Sequence, residues 1–458
     1  MKNIILLLLV CLALAQLSCR KDFLAKSPDR SLLVPLNLKD FQAPLDDNSV
    51  MIVSPSLPFI SADDFYITDN GYTSLATPVE RNCYIWSPNV DIYEGRMIGD
   101  WATPYLQIFT TNVVLEGLEG IRGEDRQLQL FSTIKGSALF HRAFAMFNLA
   151  QVFAPAYDVN TANTDLGIPI RLEADVNKKV GRSSVFDTYK QILEDLNTAV
   201  NLLPITSEYK TRPISGAAHL LLARTYLLMG NYVQASHHAK KTIEQSVGLI
   251  DYNTLNSSSV RPFPIALPNS NVEVLFYSSM ITYGFLLSPL VGVDINLYAA
   301  YVGNDLRRDL FFRDRGNNIF QFKGNYTGAT SQFGGLSLAE AYLIDAECVA
   351  RIGNYSNAFE ILGELLKKRW KTGTFLHYTA TSREEAIKLI LKERRKELVA
   401  RDTRWSDLKR LNLDPIYEVA ISRRLNGSDY SLMPRDKRYA LPIPIQEIAI
   451  TGIPQNPR

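Results

Sequence analysis

Two stretches of equal length share one pattern, ARTYLLMGNYVQA at residues 223–235 and AECVARIGNYSNA at residues 346–358. In each stretch an alanine precedes a Gly-Asn-Tyr triplet, and a second alanine follows the triplet at the same spacing. Apolar residues recur at helical intervals on both sides of the triplet. The pattern is typical of a helix, a tight turn and a second helix. The small alanines allow the two helices to approach closely, and the glycine lets the backbone leave the first helix.

Two copies of this unit predict a scaffold of tetratricopeptide-like helical hairpins. Two further helical pairs are predicted, one joining Ile134–Val152 with Val185–Leu203 and the other within Glu384–Leu411. Three or four such hairpins would stack into a curved wall. The predicted fold class is therefore mainly α, with irregular loop-rich insertions and few short strands.

Breaks in the helical pattern divide the chain into regions. Residues 1–18 are predicted to be a signal peptide. Residues 19–247 form an N-terminal region with a tether, an aromatic loop region and helical repeats. Residues 248–458 form a C-terminal region, with a loop-rich insertion at 248–335, helical repeats at 336–413 and an irregular tail. We expect the two regions to form one globular unit.

The N-terminus carries a second signal. Lys2 precedes an apolar stretch that ends near Leu17, which is too short to span a bilayer but suits a secretory signal. Ser18 then precedes Cys19, and a small residue before a cysteine at this place resembles a lipoprotein processing site. We therefore predict lipidation of Cys19 and a body tethered to a membrane by its acyl chains. The alternative is an ordinary secretory signal that leaves Cys19 as a free thiol.

Charge and cysteine content exclude several classes of protein. The formal net charge is +2 and no long run of one sign occurs, so we expect no nucleic-acid partner. After the signal and Cys19, only Cys83 and Cys348 remain, far apart in the chain, which predicts neither a disulfide framework nor a zinc site. No phosphate-binding loop, nucleophile elbow or zincin motif is present, and we predict no cofactor and no catalytic residue.

Short signatures in a fixed order now resemble the SusD/RagB family of Bacteroidetes outer-membrane lipoproteins, over nearly the whole chain. No single signature is specific, but their order and spacing together are. Arg401-Asp402 departs from the Glu-Gly that the family usually has there. The signatures are Cys19–Leu24, Trp101 with Tyr105, Ile108 and Asn112, Leu166–Pro169, Tyr189–Leu196, Ala217–Arg224, Arg394–Leu398, Arg404–Arg410, Leu441–Pro444 and Gln455–Pro457.

The resemblance implies a function. Family members sit as lids on a SusC-like TonB-dependent transporter barrel, capture glycans or in some members peptides, and perform no chemistry. It implies that this chain is a nutrient-binding lipoprotein, lipid-anchored at the outer membrane and facing the cell exterior. Binding of peptides or other nutrients on the same scaffold is one alternative. A tetratricopeptide-like scaffold that only assembles proteins is another, although the long aromatic-rich insertion between the repeats argues against it.

A glycan site needs flat rings and a few directed polar groups, because the C–H faces of a sugar stack on aromatic rings. Two irregular regions are rich in such rings, Ser61–Trp86 and Met280–Tyr326. The family's ligand residues vary between members, so none transfers by motif. Ring type and loop setting instead give Tyr72, Trp86, Tyr283 and Tyr298 as candidate ligand-binding residues.

Three other patterns have ordinary structural interpretations. Asp63-Asp64 with Asp69 and Asn70 offers oxygen ligands for calcium, but the spacing fits no defined loop and favours a polar turn. His237 and His238 are adjacent and cannot share a helical face, so we predict no metal site there. Glu393 with Lys396, and Arg394 with Glu397, are expected to form ion pairs on a solvated face or between repeats.

Overall fold

The computed structural model describes residues 37–458. The predicted signal peptide, the tether and the lipidation site at Cys19 lie outside the described residues. Within residues 37–458, none of the helices combines the length and apolar character that crossing a membrane requires.

The described chain is mostly helical. The helices are α1 Leu38–Leu45, α2 Leu57–Ser61, α3 Asp69–Ser74, α4 Pro78–Tyr84, α5 Gly99–Glu119, α6 Gln129–Phe153, α7 Val185–Leu202, α8 Ser215–Leu228, α9 Tyr232–Glu244, α10 Gly284–Leu287, α11 Ile295–Ala299, α12 Arg307–Phe311, α13 Leu338–Arg351, α14 Tyr355–Leu366, α15 Arg383–Glu397, α16 Arg404–Leu411 and α17 Ile445–Thr451. Single 3-10 turns lie at Gly123–Gln127, Tyr252–Thr254 and Lys437–Tyr439.

The strands are short and form only two-stranded pairs in the described chain. They are β1 Val53–Ser54, β2 Phe65–Ile67, β3 Val274–Phe276, β4 Ser279–Met280, β5 Val291–Val293, β6 Phe312–Asp314, β7 Phe320–Phe322, β8 Leu336–Ser337, β9 Ile421–Leu425 and β10 Ser428–Leu432. β1 pairs with β4 in parallel, while β2 with β5, β3 with β8, β6 with β7 and β9 with β10 are antiparallel. The predicted fold class, mainly α with few short strands, is confirmed.

Both copies of the sequence repeat are helical hairpins, α8–α9 and α13–α14, which together we call the helical wall. Gly230 and Gly353 end the first helix of each copy with φ of 73° and 105°, which favour glycine. Asn231 and Asn354 then cap the second helix by accepting hydrogen bonds from the backbone amides three residues on, at 3.2 Å in both copies. The four repeat alanines are fully buried where the helices cross.

The two weaker helical pairs have different outcomes. α6 packs along α7, as predicted for 134–152 and 185–203. α15 and α16 also form, but α15 packs mainly against α13, and α16 packs against α2 and α8. The last pair is therefore not a third copy of the hairpin. The tail is also more ordered than expected, since β9, β10 and α17 lie within it.

Two hydrophobic cores meet at α13. Ala341 and Ile344 belong to a large core that gathers residues from Ile52 to Ile453. Leu343 and Ala346, on the other side of the same helix, belong to a smaller core with α14 and α15. The chain end closes over α6, where the Asn456 side chain donates to the carbonyls of Phe153 and Leu441 at 2.7 Å each.

Charged side chains from α12, α15 and the loops around them form what we call the buried ion network. Arg307 contacts Asp305, Glu393 and Glu397 at 2.8, 2.6 and 3.2 Å. The remaining members are Lys396, which contacts Asp305 and Glu393, and Arg369, which joins Glu397 to Glu273. All of these side chains are at most 2% exposed, so the expected solvated face is wrong. Glu393 and Lys396 do pair, at 2.8 Å, but in the interior.

The second expected ion pair on α15, between Arg394 and Glu397, does not form. Arg394 instead contacts Asp407 on α16 at 2.8 Å and Glu340 on α13 at 3.5 Å. Arg410 on α16 continues this chain of charges to Glu347 on α13 at 2.6 Å. Arg394 and Arg410, one from each of two family-like signatures, therefore anchor α15 and α16 to the helical wall.

Candidate functional site

Two adjoining cavities open between the loop regions and α15. The larger has a volume of about 430 Å³ and the smaller about 290 Å³, and Asn296, Arg395 and Val419 line both. We call the pair the cleft, with a helix-side half along α15 and α16 and a loop-side half between β2 and β9. The volumes suit a small ligand, since ligand pockets commonly hold ~300–1,000 Å³.

Local pairing brings the two predicted aromatic regions together at the loop-side half. β2, from the first region, pairs antiparallel with β5, from the second, so that Tyr66 lies opposite Gly292. A Cβ on Gly292 would lie 2.8 Å from the Tyr66 ring, so only glycine leaves room for the ring there. The Tyr66 hydroxyl donates to the carbonyl of Asn318 at 3.1 Å. Tyr66 is thus a half-buried, fixed ring in the cavity wall.

Asp294 ends this strand pair and starts the next short helix. Its carboxylate accepts a hydrogen bond from the Leu297 amide at 2.9 Å, which caps α11. Asn296 and Leu297 on this helix line the cleft, while Tyr298 beside them stacks on Phe320 with ring centroids 3.6 Å apart. The short helix therefore presents polar and apolar groups to the cleft next to an aromatic pair.

An ion pair cluster forms the back of the cleft. Asp63 accepts two hydrogen bonds from Arg404, at 2.6 and 2.9 Å, and Arg395 donates to Asp64 at 2.8 Å. Burial opposes ionisation of Asp63, but Arg404 and Arg395 outweigh burial and hold the pKa of its carboxyl well below the usual range. Burial raises the pKa of Asp64 in spite of Arg395. The polar turn predicted for Asp63-Asp64 is thus an acceptor for two arginines.

Arg423 on β9 lines the loop-side half and has no carboxylate within ion-pair distance among residues 37–458. Its guanidinium stacks on Tyr84 at 3.7 Å and on Trp86 at 4.3 Å, measured to the ring centroids. It also donates to the backbone carbonyls of Ser61, Ala62 and Tyr84. Burial lowers the pKa of Arg423 to about 10. The arginine thus holds the two rings against β9.

The four candidate ligand-binding residues occupy different settings. Trp86 lies in the wall of the loop-side half but is only 1% exposed, and its indole donates to the Ser61 carbonyl at 2.9 Å. Tyr283 donates to Asp100 at 2.8 Å, away from the cleft lining. Tyr72 packs near Tyr84 with ring centroids 6.1 Å apart. Tyr298 is the candidate with a partly exposed ring beside the cleft. Ligand binding by these residues stays a prediction.

Sequence reasoning missed several residues that line the cleft. Tyr66 lies inside the first aromatic region and was available by ring type. Lys388, Lys392 and Arg395 lie on one side of α15, at the spacing of an exposed helical face. That spacing could have indicated a row of basic side chains along the helix. The sequence of α15 alone does not show that a cavity lies beside this row.

Other polar clusters do not form a metal centre. Among residues 37–458, no group of three His, Cys, Asp or Glu side chains converges in a way that could hold a metal ion. His219 and His238 approach with their Nδ1 atoms 3.0 Å apart across the α8–α9 hairpin. Burial lowers the pKa of both histidines to about 4, so the pair is neutral near pH 7 and shares one hydrogen bond.

Comparison with known proteins gives consistent matches over this architecture. A family model described as "Starch-binding associating with outer membrane", of the SusD-like type, matches residues 22–227. A second model, described as the SusD family, matches residues 323–457. A curated relative, SusD-like protein P2 of Formosa agariphila, is 22% identical over 423 residues, which span 79% of this chain and 81% of the relative.

Solved structures show the same fold. A SusD superfamily protein from Bacteroides thetaiotaomicron superposes with a TM-score of 0.73 at 24% identity, covering 92% of this chain and all of that one. A SusD-like carbohydrate binding protein from Bacteroides vulgatus gives a TM-score of 0.67 at 19% identity, covering 91% of this chain and 97% of that one. The overall fold of this chain is thus shared with these structures.

Proposed function

Because the chain belongs to the SusD/RagB family, we propose that it is a cell-surface lipoprotein that binds glycans in the cleft. We propose further that it hands them to a SusC-like TonB-dependent transporter, and that acyl chains on Cys19 anchor it at the outer membrane. The description of one similar structure as a carbohydrate binding protein supports the ligand class. The proposal of a transporter partner rests on family membership. The proposal of a lipid anchor rests on family membership and on the sequence around Cys19.

The cleft itself is the observation that carries the proposal. It places the half-buried ring of Tyr66 beside directed polar groups, Asn296, Asp294 and Arg395, in a cavity wall. A sugar ring can stack its C–H face on the tyrosine while its hydroxyls pair with the amide, carboxylate and guanidinium. Rigid strand pairing and ion pairs hold these groups in place before a ligand arrives, which lowers the entropy lost on binding.

We propose binding without chemistry. Glycoside hydrolysis uses two carboxyl groups that flank one bond, one to donate a proton and one to attack or activate water. In the cleft, Arg404 and Arg395 engage Asp63 and Asp64, and Asp294 caps α11. These three carboxylates are held in structural contacts, and Glu418 is the remaining carboxylate of the lining. One such group, where hydrolysis uses a pair, favours a receptor over a hydrolase.

The test is equilibrium binding of the purified protein to a panel of oligosaccharides and peptides, with variants of Tyr66. We expect saturable oligosaccharide binding that Tyr66→Ala weakens about tenfold, since a lost aromatic contact worth ~1.4 kcal/mol has that effect. Tyr66→Phe keeps the ring and should bind within about threefold of the wild type. Thermal unfolding of each variant shows whether the cleft remains folded.

A matched control is Phe186→Ala, which removes a partly exposed ring on α7, far from the cleft lining. It should leave affinity unchanged. Saturable binding of peptides with no oligosaccharide bound would replace the proposed ligand class. No ligand of either class, together with tight binding to another protein, would favour the assembly scaffold instead.

A further inference from the structure

One side of α15 carries cations with two different roles. Lys388, Lys392 and Arg395 follow one another at spacings of four and three residues, so they share the helical face that lines the helix-side half of the cleft. Arg395 is held by Asp63 and Asp64, at 3.1 and 2.8 Å. In the described part of the chain, neither Lys388 nor Lys392 has a carboxylate within ion-pair distance, and both are exposed.

Lys396, on the next turn of the same helix, is a buried and paired lysine. Lys396 contacts Asp305 at 2.7 Å and Glu393 at 2.8 Å and is 2% exposed. The fold uses this lysine to neutralise buried acids. Lys388 and Lys392 neutralise no buried acid in the described chain, and they are exposed side chains of the cleft lining.

Part of the lining of this half is apolar. Leu297, Ala300, Leu391 and Leu411 belong to it, together with the two lysines. Glu418 is the acidic side chain of the same lining that has no described ion-pair partner, so the unpaired groups sum to one net positive charge. A ligand that suits this lining has an apolar face and an anionic group. A sugar that carries a carboxylate or a sulfate ester has both features.

We propose that the helix-side half of the cleft selects glycans with acidic residues, uronates or sulfate esters, through Lys388 and Lys392. The inference rests on the proposed function, since it names the substrate class of the same cleft. Glu418 limits the selection by repelling anions. Raising the ionic strength weakens this selection, because exposed charges are screened over about 10 Å at 0.1 M salt.

The experiment compares ligands that differ only in charge. Calorimetry measures binding of the purified protein to tetragalacturonate and to its methyl ester, and to a sulfated galactan oligosaccharide and its desulfated form. We expect at least one charged form to bind about tenfold more tightly than its neutral counterpart, equivalent to ~1.4 kcal/mol. The pair that shows the preference identifies the acidic group.

Variants assign the preference to the two lysines. Lys388→Gln with Lys392→Gln should bring the charged and neutral forms within about twofold, and Glu418→Gln should tighten binding of the charged form severalfold. Lys190→Gln on α7 removes an exposed charge, 59% exposed, outside the cleft lining, and should change the affinity for neither the charged nor the neutral form. Raising the salt concentration should weaken only the charged form.

The outcomes separate the two proposals. Equal binding of charged and neutral forms, still weakened by Tyr66→Ala, would overturn the acidic selection and leave the glycan receptor standing. A charge preference that survives in the double lysine variant would also overturn it. Loss of binding to every oligosaccharide tested, charged or neutral, would overturn the proposed function and this inference with it.

Discussion

The helical wall and the back of the cleft bury their interiors in different ways. In the wall, apolar helix faces meet at fully buried alanines, and the turns are fixed by hydrogen bonds between residues three apart. At the back of the cleft, α15 and α16 are held by charged side chains whose partners are distant in sequence, as for Arg395 with Asp64 and Arg404 with Asp63, the latter pair 341 positions apart. The hairpins of the wall are therefore specified by contacts between residues close in sequence, whereas the positions of α15 and α16 depend on charged partners far along the chain.

The largest expected effect comes from Arg307, which neutralises three buried acids at once. Arg307→Met should lower the free energy of unfolding by about 3–5 kcal/mol, because Asp305, Glu393 and Glu397 would lose the cation between them. Urea denaturation at pH 7 measures the loss. Arg308→Met is the matched control, since Arg308 is 41% exposed and pairs only with exposed Asp309. It should cost less than about 1 kcal/mol. Equal small losses in both variants would show that the buried ion network contributes little to the stability of the fold around α15.

Low pH should weaken the buried ion pairs that Glu347 forms with Arg410 and Arg351. Burial alone would raise the pKa of Glu347, but Arg410 and Arg351 outweigh it and lower the pKa to about 2 from 4.5. The folded state therefore holds this proton less tightly than the unfolded chain does. The stabilisation is present in full above pH 4.5 and is lost as the pH falls toward 2.

Urea denaturation at pH 6, 4 and 3 measures this loss. Glu347→Gln should be less stable at pH 6 and should lose less stability on acidification than the wild type, because its side chain does not titrate. Glu360→Gln, a change at an exposed position of α14, should follow the wild-type profile. A Glu347→Gln profile as steep as the wild type would show that other groups govern the acid response.

The sequence predicted the wall because its determinants are local. Gly230, Asn231 and the alanines act on residues within one or two helical turns, so spacing alone reveals them. The sequence pattern predicted the helices α15 and α16 but not how they pack. Their packing depends on distant partners, since Arg394 on α15 pairs with Asp407 on α16 and with Glu340 on α13. Asp402, where the family usually has glycine, adopts φ of 57°, which explains the usual glycine but not the aspartate.

The candidate site was harder to predict for a related reason. An aromatic side chain that packs in the core and one that contacts a ligand can have the same ring type and lie in the same kind of loop. These two criteria therefore do not distinguish them. Trp86 and Tyr66 come from one predicted region and both line the loop-side half, but Arg423 and Ser61 enclose Trp86, which is 1% exposed, whereas the Tyr66 ring is half-buried. The difference is set by β5 and β9, which reach this region from far along the chain, so a local sequence pattern cannot distinguish the two rings. Which ring meets a ligand stays a prediction.

The smallest expected effect tests whether the two copies of the repeat are energetically equivalent. Asn231→Ala and Asn354→Ala each remove one side-chain cap and should each lower the free energy of unfolding by about 1 kcal/mol. The losses should agree within about 0.5 kcal/mol and add in the double variant, since the caps act on separate helices. Gln234→Ala, an exposed change one turn into α9, is the control and should cost less than ~0.5 kcal/mol. A loss several times larger in one copy would show that its turn carries contacts beyond the hairpin, and the wall would then resemble the cleft in its dependence on distant partners.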